Sequence, residues 1–214
     1  MVNKKDKYYV TTPIYYPSGK PHLGSAYTTI AADILARWNK LLGKDVWFLT
    51  GTDEHTKKVV KEAEKENKEL DEYLDEITNK FKESWKGLDI DYDRFIRTSD
   101  KDHKELVRWV LERVYENGDI YKGVYEGYYC GECEAYYTER EASGLECPVH
   151  EKPLEMLKEE SYFFKMSKYE KKLLEHYKKN PEFISPDHRR NEIVNRVREG
   201  LRDLSISRDN TDWG

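Results

Sequence analysis

Apolar residues recur along this chain at two spacings, and the switches between them mark out its elements. Residues 7–14 (Lys-Tyr-Tyr-Val-Thr-Thr-Pro-Ile) are β-branched and aromatic, which predicts a strand ended by Pro13. A Pro- and Gly-bearing loop follows at 17–21. From about 24 to 42, Tyr27, Ile30, Ala31, Ile34, Leu35, Trp38, Leu41 and Leu42 recur at intervals of three and four. That spacing predicts a helix with this face buried, stopped by Gly43. Residues 45–50 read as a buried strand. Strand, helix and strand in this order make a βαβ unit, with parallel strands and a right-handed crossover. Residues 56–87 read as charged helix broken near Asn67, 94–97 as a strand, and 102–117 as an amphipathic helix stopped by Gly118. Between 120 and 164 the chain becomes rich in Tyr, Gly and Cys with short strand-like pieces, which predicts an inserted domain. Helices are expected at 167–180 and 187–200, separated by Pro181 and Pro186. A strand at 204–207 is expected to return toward the first domain.

Composition adds a charged surface to this picture. Of 214 residues, 37% are charged and 37% hydrophobic, with a net charge of -5. The charge exceeds that of an average globular chain, but the apolar periodicity still specifies a folded core. Nothing global points to nucleic acid. The local candidate is Lys171-Lys172, Lys178-Lys179 and His188-Arg189-Arg190, whose simpler reading is a solvated helix face. The charged start lacks a secretory apolar core and no run is long enough to span a bilayer, so a cytoplasmic protein without membrane partners is expected.

Three cysteines are too few for a disulfide framework, and they cluster. Cys130-Gly-Glu-Cys133 is followed, after thirteen residues, by Cys147-Pro-Val-His150. Each pair places two ligands on one tight turn. Together they offer three thiolates and an imidazole, a filled tetrahedral set for structural Zn2+. The surrounding segment has too little apolar content for a core of its own, and metal binding can substitute for one.

Two further segments carry candidate chemistry. The stretch from Thr12 to Ser25 lies between a strand and a helix, at the carboxyl edge where open α/β sheets bind ligands. The helix N-terminus favours an anion, Gly24 permits close approach, and His22 can donate to a phosphate oxygen. Gly51-Thr52-Asp53-Glu54-His55 ends the next strand. An acidic side chain there can hold an amine or ribose hydroxyls, or Asp53 can cap the next helix.

Taken together, Thr12-Pro13-Ile14-Tyr15-Tyr16, His22-Leu23-Gly24-Ser25, the run from Leu49 to His55, the zinc spacing, Tyr162-Phe163-Phe164 and the stretch from Gly200 to Arg208 resemble the methionyl-tRNA synthetase family. The likeness extends to the terminal Asp212-Trp213-Gly214 and covers essentially the whole chain. It implies an α/β, Rossmann-like parallel-sheet half-domain with an inserted zinc-knuckle (connective-peptide) domain. Residues 1–118 would be the first half of the catalytic domain, 119–165 the insertion, and 166–214 a helical segment and strand returning to the catalytic domain. The resemblance implies ATP-dependent formation of methionyl-adenylate, with Mg2+, and transfer to tRNA(Met). It places Ile14, Tyr16 and Asp53 in the methionine site, Asp53 on the amino group. His22 and Gly24 would contact ATP, and the catalytic motif comprises His22, Gly24 and Ser25. Zinc would sit on Cys130, Cys133, Cys147 and His150.

This sequence departs from the family pattern at Ser25, where a second His is usual, and at Thr56, where Gly is usual and a positive φ would strain a β-branched residue. The family also continues past Gly214 with the rest of the pocket and a Lys-Met-Ser-Lys-Ser phosphate loop. The chain alone is therefore expected to need a C-terminal half or complementing subunit. Lys165-Met166-Ser167-Lys168 spells most of that loop but lies within the insertion, where Ser167 is expected to cap the following helix. A cysteinyl-tRNA synthetase would need a cysteine before the first motif, where Thr11-Thr12-Pro13 stands. A non-catalytic zinc-binding interaction module is the reading of a different class.

Overall fold

The computed structural model describes residues 6–130, 135–137 and 144–207. They form two compact units, divided between Arg108 and Trp109. In the first, β1 (Lys7–Thr11), α1 (Leu23–Leu41) and β2 (Asp45–Thr52) make the expected βαβ unit, with β1 and β2 parallel from the Lys7–Asp45 pair to the Thr11–Leu49 pair. Then come α2 (Lys57–Lys65), α3 (Leu70–Gly87) and β3 (Arg94–Arg97). β3 pairs in parallel with β2, giving the order β1-β2-β3. The helical break falls where expected, with Asn67 in the left-handed region at φ 52. A Cβ on Gly51 would lie 1.9 Å from the Ile96 carbonyl oxygen, so only glycine permits this approach of β2 and β3.

The core lies on one side of this sheet. Phe48 of β2 packs with Ala32 and Ala36 of α1, Val59 and Ala63 of α2, and Tyr73, Leu74, Ile77, Phe81 and Trp85 of α3. On the other side Tyr9 and Trp47, cross-strand partners, are 62% and 51% exposed.

α1 corrects the expectation for its buried face. Leu23, Tyr27, Ile34, Trp38 and Leu41 are exposed, and the buried residues are Ser25, Thr29, Ala32, Asp33, Ala36 and Asn39. Small side chains allow the helix axis to lie close to the strands, and the longer apolar side chains occupy the other face. Asp33 is satisfied by the Arg37 guanidinium at 2.6 Å and the Asp91 amide at 2.9 Å. α4 (Lys101–Glu116) likewise buries none of its residues; Leu106, Val107, Val110 and Leu111 are exposed.

The second unit is built on an antiparallel sheet of order β5-β4-β6-β7. β4 (Ile120–Cys130) and β6 (Glu155–Phe164) pair from Ile120–Phe164 to Tyr129–Glu155, far longer than the short pieces expected. Cross-strand charge supports this length, as in Lys158 to Glu126 at 3.1 Å. β5 is Ala135–Tyr137. A 3-10 turn (Met166–Tyr169) leads into α5 (Glu170–Lys179), and α6 spans Asp187–Arg198. β7 (Leu204–Ser205) joins β6 and not the parallel sheet. Serine hydroxyls set this pairing: Ser161 Oγ lies 2.6 Å from Ser205 Oγ, and the Tyr162 amide donates to Ser207 Oγ at 2.9 Å. Among the described residues no helix is long and apolar enough to cross a membrane.

Candidate functional site

The two candidate loops meet at the carboxyl edge of β1 and β2. The Thr12 amide donates to the Leu49 carbonyl at 3.1 Å, and the Thr12 and Thr50 hydroxyls lie 2.7 Å apart. The chain then crosses toward β2: Tyr15 N donates to Gly51 O at 3.0 Å, and Asp53 N to Tyr15 O at 2.9 Å. Extended backbone alternates its side chains, so Tyr15 turns inward while Ile14 and Tyr16 stay exposed. Tyr15 stacks on Phe81 with ring centroids 5.8 Å apart, and meets the edge of Trp85 at 6.0 Å. Its hydroxyl reaches Thr29 Oγ1 at 2.8 Å and donates to the Ser25 carbonyl at 3.2 Å. Sequence reasoning passed over Tyr15; an aromatic between two loop residues assigned to a ligand gives the only local hint.

His22 and Ser25 close a capping box at the start of α1. The Gly24 amide donates to His22 Nδ1 at 3.0 Å; the His22 amide donates to Ser25 Oγ at 3.0 Å, and Ser25 Oγ donates to the His22 carbonyl at 2.8 Å. Because Nδ1 accepts, the neutral imidazole carries its proton on Nε2 and keeps a donor for a ligand. Ser25 is buried with its hydrogen committed to His22. A Cβ on Gly24 would stand 2.9 Å from His22 Cε1, so glycine here makes room for the imidazole.

The cap of α2 is Thr56, whose hydroxyl accepts from Val59 N at 3.3 Å, so Asp53 has no capping role. Thr56 has φ -121 and carries no left-handed strain in place of the family's glycine. Asp53 is half-buried, while its neighbour Glu54 is wholly buried. Glu54 Oε1 accepts from Thr52 at 3.0 Å, Thr78 at 3.1 Å and Arg97 Nε at 2.7 Å; Oε2 accepts from Ser99. Burial opposes the Arg97 charge, but hydrogen bonds to Glu54 and Asp75 outweigh it and raise the guanidinium pKa. Burial, reinforced by Lys104, lowers the His55 imidazole pKa against the pull of Asp53 and Glu54. Glu54 and Arg97 also escaped the sequence reading, since they come together from positions with no local spacing signal.

In the second unit, Cys130 Sγ and Cys147 Sγ lie 3.9 and 3.7 Å from His150 Nδ1. Tetrahedral zinc bonds of ordinary length give S···N edges of about 3.5 Å, so these three atoms fit one ion. Cys133 lies outside the described residues. Burial pushes the Cys147 thiol up, but the amides of Val149 and His150, the Tyr137 hydroxyl and the His150 ring outweigh it and hold it at about 5. Cys147 Sγ and the Tyr137 hydroxyl oxygen lie within hydrogen-bond reach at 3.6 Å.

The Lys165–Lys168 stretch is committed within its own unit. Lys165 Nζ donates to the Gly118 carbonyl at 2.8 Å, Lys168 pairs with Asp119, and the Ser167 amide and hydroxyl donate to Asp203 Oδ1 at 3.2 and 2.6 Å. Ser167 therefore sits inside the 3-10 turn and caps no helix. The basic helices are partly self-neutralised: Arg189 pairs with Glu192 at 2.8 Å and Arg190 with Asp187 at 3.3 Å.

A parallel βαβ unit whose two loops converge at the strands' carboxyl edge, one leading into a capped helix N-terminus, is the frame of an α/β nucleotide-binding domain. A family model described as tRNA synthetases class I (M) matches residues 8–153 and 146–214, and the chain belongs to that family. It is 51% identical over 214 residues to the methionine–tRNA ligase of Clostridium tetani, covering 100% of this chain and 33% of that protein. It is 50% identical over 210 residues to the methionine–tRNA ligase of Caldanaerobacter subterraneus subsp. tengcongensis, covering 98% of this chain and 33% of that protein. Mycobacterium tuberculosis methionyl-tRNA synthetase, solved in complex with methionyl-adenylate, superposes with a TM-score of 0.91 at 42% identity, over 98% of this chain and 42% of that one. The chain thus spans about a third of the length of the curated relatives it matches.

Proposed function

We propose that this chain supplies the methionine- and ATP-facing loops of a methionine–tRNA ligase, which joins methionine to ATP as methionyl-adenylate and passes the methionyl group to tRNA(Met). The observation that carries the reading is the convergence of Ile14, Tyr16 and Asp53 through the Asp53 N to Tyr15 O hydrogen bond, beside the carboxyl ends of two parallel strands. Ile14 and Tyr16 offer apolar surface to the thioether side chain, and Asp53 offers a carboxylate to the ammonium group. His22 Nε2–H donates to ATP, assisted by the α1 N-terminus, and Gly24 keeps the imidazole in place. Ser25 serves this site by holding the His22 backbone. Mg2+ accompanies ATP as its counter-ion.

Residues 1–118 act as the first half of the catalytic domain and 119–165 as the inserted knuckle, with 166–214 following it. Cys130, Cys147 and His150, with Cys133, hold a structural Zn2+. When bound, the ion supplies cross-linking and no reaction step. A sequence match that runs through both motif loops and the cysteine segment favours an enzyme part over a non-catalytic zinc module.

The test is a chimera in which this chain replaces the matching third of the Clostridium tetani enzyme. Methionine-dependent ATP–pyrophosphate exchange is expected, reduced at least about tenfold by Asp53→Asn, the loss of a hydrogen bond to a charged group. A folded chimera without exchange, or one indifferent to Asp53→Asn, would sink the reading.

A further inference from the structure

Asp53 lies between two anchors. Its own amide donates to Tyr15 O at 2.9 Å, and the next amide, Glu54 N, donates to Thr98 Oγ1 at 2.8 Å. Thr98 N in turn donates to Thr52 O at 3.2 Å, tying the end of β3 to the residue before Asp53. Glu54 then turns its side chain into the protein, where its carboxylate collects donors from Thr52, Thr78, Arg97 and Ser99. These donors come from β2, from α3, from β3 and from the turn after β3. One buried carboxylate therefore ties β2, α3, β3 and the turn after β3 together beside the Asp53 turn.

Burying a carboxylate is unfavourable unless it is both charge-paired and hydrogen-bonded. A branched apolar residue at position 54 would fill the same space without that requirement. What the ion pair adds is direction, because Arg97 Nε and three hydroxyls fix the position of both carboxylate oxygens. Arg97 also cancels the Glu54 charge locally. The partly exposed Asp53 carboxylate then remains to face a cation without competition from its neighbour. Arg97 is itself held by Asp75 from α3, so the pair has a second brace.

We propose that the Glu54–Arg97 pair is the positioning element that aims Asp53 at the substrate's ammonium group; this rests on the methionine reading of the Asp53 site. Glu54 and Arg97 touch no substrate. They act through the geometry of the turn, and discrimination for the amino group depends on them.

Two readouts test this. The first, on the chain itself, is amide hydrogen exchange in Glu54→Gln. Exchange at Asp53 and Glu54 is expected to accelerate by roughly tenfold or more, the loss of one charge-assisted hydrogen bond, while Phe48 in the same strand keeps its protection. The second, in the chimera, compares affinity for methionine with affinity for 4-(methylthio)butanoate, the same molecule without the amino group. The preference for methionine is expected to fall roughly ten- to a hundredfold in Glu54→Gln, and to fall no further when Asp53→Asn is already present. Equal acceleration at Phe48, unchanged exchange at Asp53, or equal loss of both ligands would overturn the proposal. If Glu54→Gln does not fold, Ser99→Ala, which removes one donor and leaves the ion pair, takes its place with a smaller shift in the same direction. A wild-type chimera that binds both ligands alike would refute the methionine reading, while the exchange data would still decide whether the pair positions the turn.

Discussion

In the parallel-sheet unit the carboxyl-edge loops rest on eleven buried apolar residues, among them Phe48, Phe81 and Trp85; around Cys147 the corresponding cluster is Cys130, Cys147 and Leu154. The first region can hold a loop by packing because three helices cover one face of its sheet. Among the described residues the second buries little apolar surface, with Tyr128 and Tyr137 packed partly buried against its cluster. It concentrates sulfur and imidazole instead, so an ion can do what packing does elsewhere. On the proposed zinc reading, stability has separate physical sources in the two units, and each source can be removed alone.

Removing zinc should have the largest effect. Structural zinc contributes on the order of 10–16 kcal/mol in small sites. Chelation, or Cys147→Ser, is expected to abolish ordered structure around 144–156 and to leave the helix-rich signal of the first unit in circular dichroism. About one zinc per chain should be found by metal analysis. A folded, metal-free turn with unchanged hydrogen exchange would end the contrast.

Breaking the apolar region should be the mirror experiment. Trp85 is fully buried, and Trp85→Ala is expected to destabilise the first unit by about 3–5 kcal/mol. The zinc content should not change. Loss of metal in this variant would show that the two sources are not separable.

A smaller effect sharpens the comparison within the second unit. Asp119 accepts from Lys168 and from the Tyr169 hydroxyl, and these hold its carboxyl below the ordinary range. A depressed carboxylate pKa gives stability that is present above the unfolded value, near 4, and is lost as pH falls through the folded one. Thermal melts should therefore show a stability difference between the protein and Asp119→Asn that shrinks as pH falls through about 4, both sharing whatever acid loss of metal occurs. An unchanged slope would remove Asp119 from the account.

Much of this is legible in the sequence. The strand at 94–97, the break near Asn67 and the βαβ order follow from periodicity and local punctuation, because short-range sterics decide them. The buried face of α1 was not legible. Apolar period marks where bulk lies, but a helix crossing close over a sheet presents Ala32 and Ala36, and its large residues point the other way. The partner of strand 204–207 is not legible either, because the hydroxyls at 161, 205 and 207 that join it to β6 lie far apart in sequence. Among the residues proposed for the site, Asp53 and His22 announce themselves by residue type at a strand end and a helix start. Glu54, Tyr15 and Arg97 do not, since their roles exist only once β2, β3 and α3 are assembled.

Tyr15 has a consequence for how this protein can change. It is wedged among Phe81, Trp85 and Thr29, with Ile14 and Tyr16 on either side of it in the chain. Any lineage that repacks the interior at this point moves two outward-facing side chains at once. On the proposed methionine reading, core and pocket are therefore not independent traits: a drift in interior volume is also a drift in selectivity, and one cannot be tuned without selection also seeing the other.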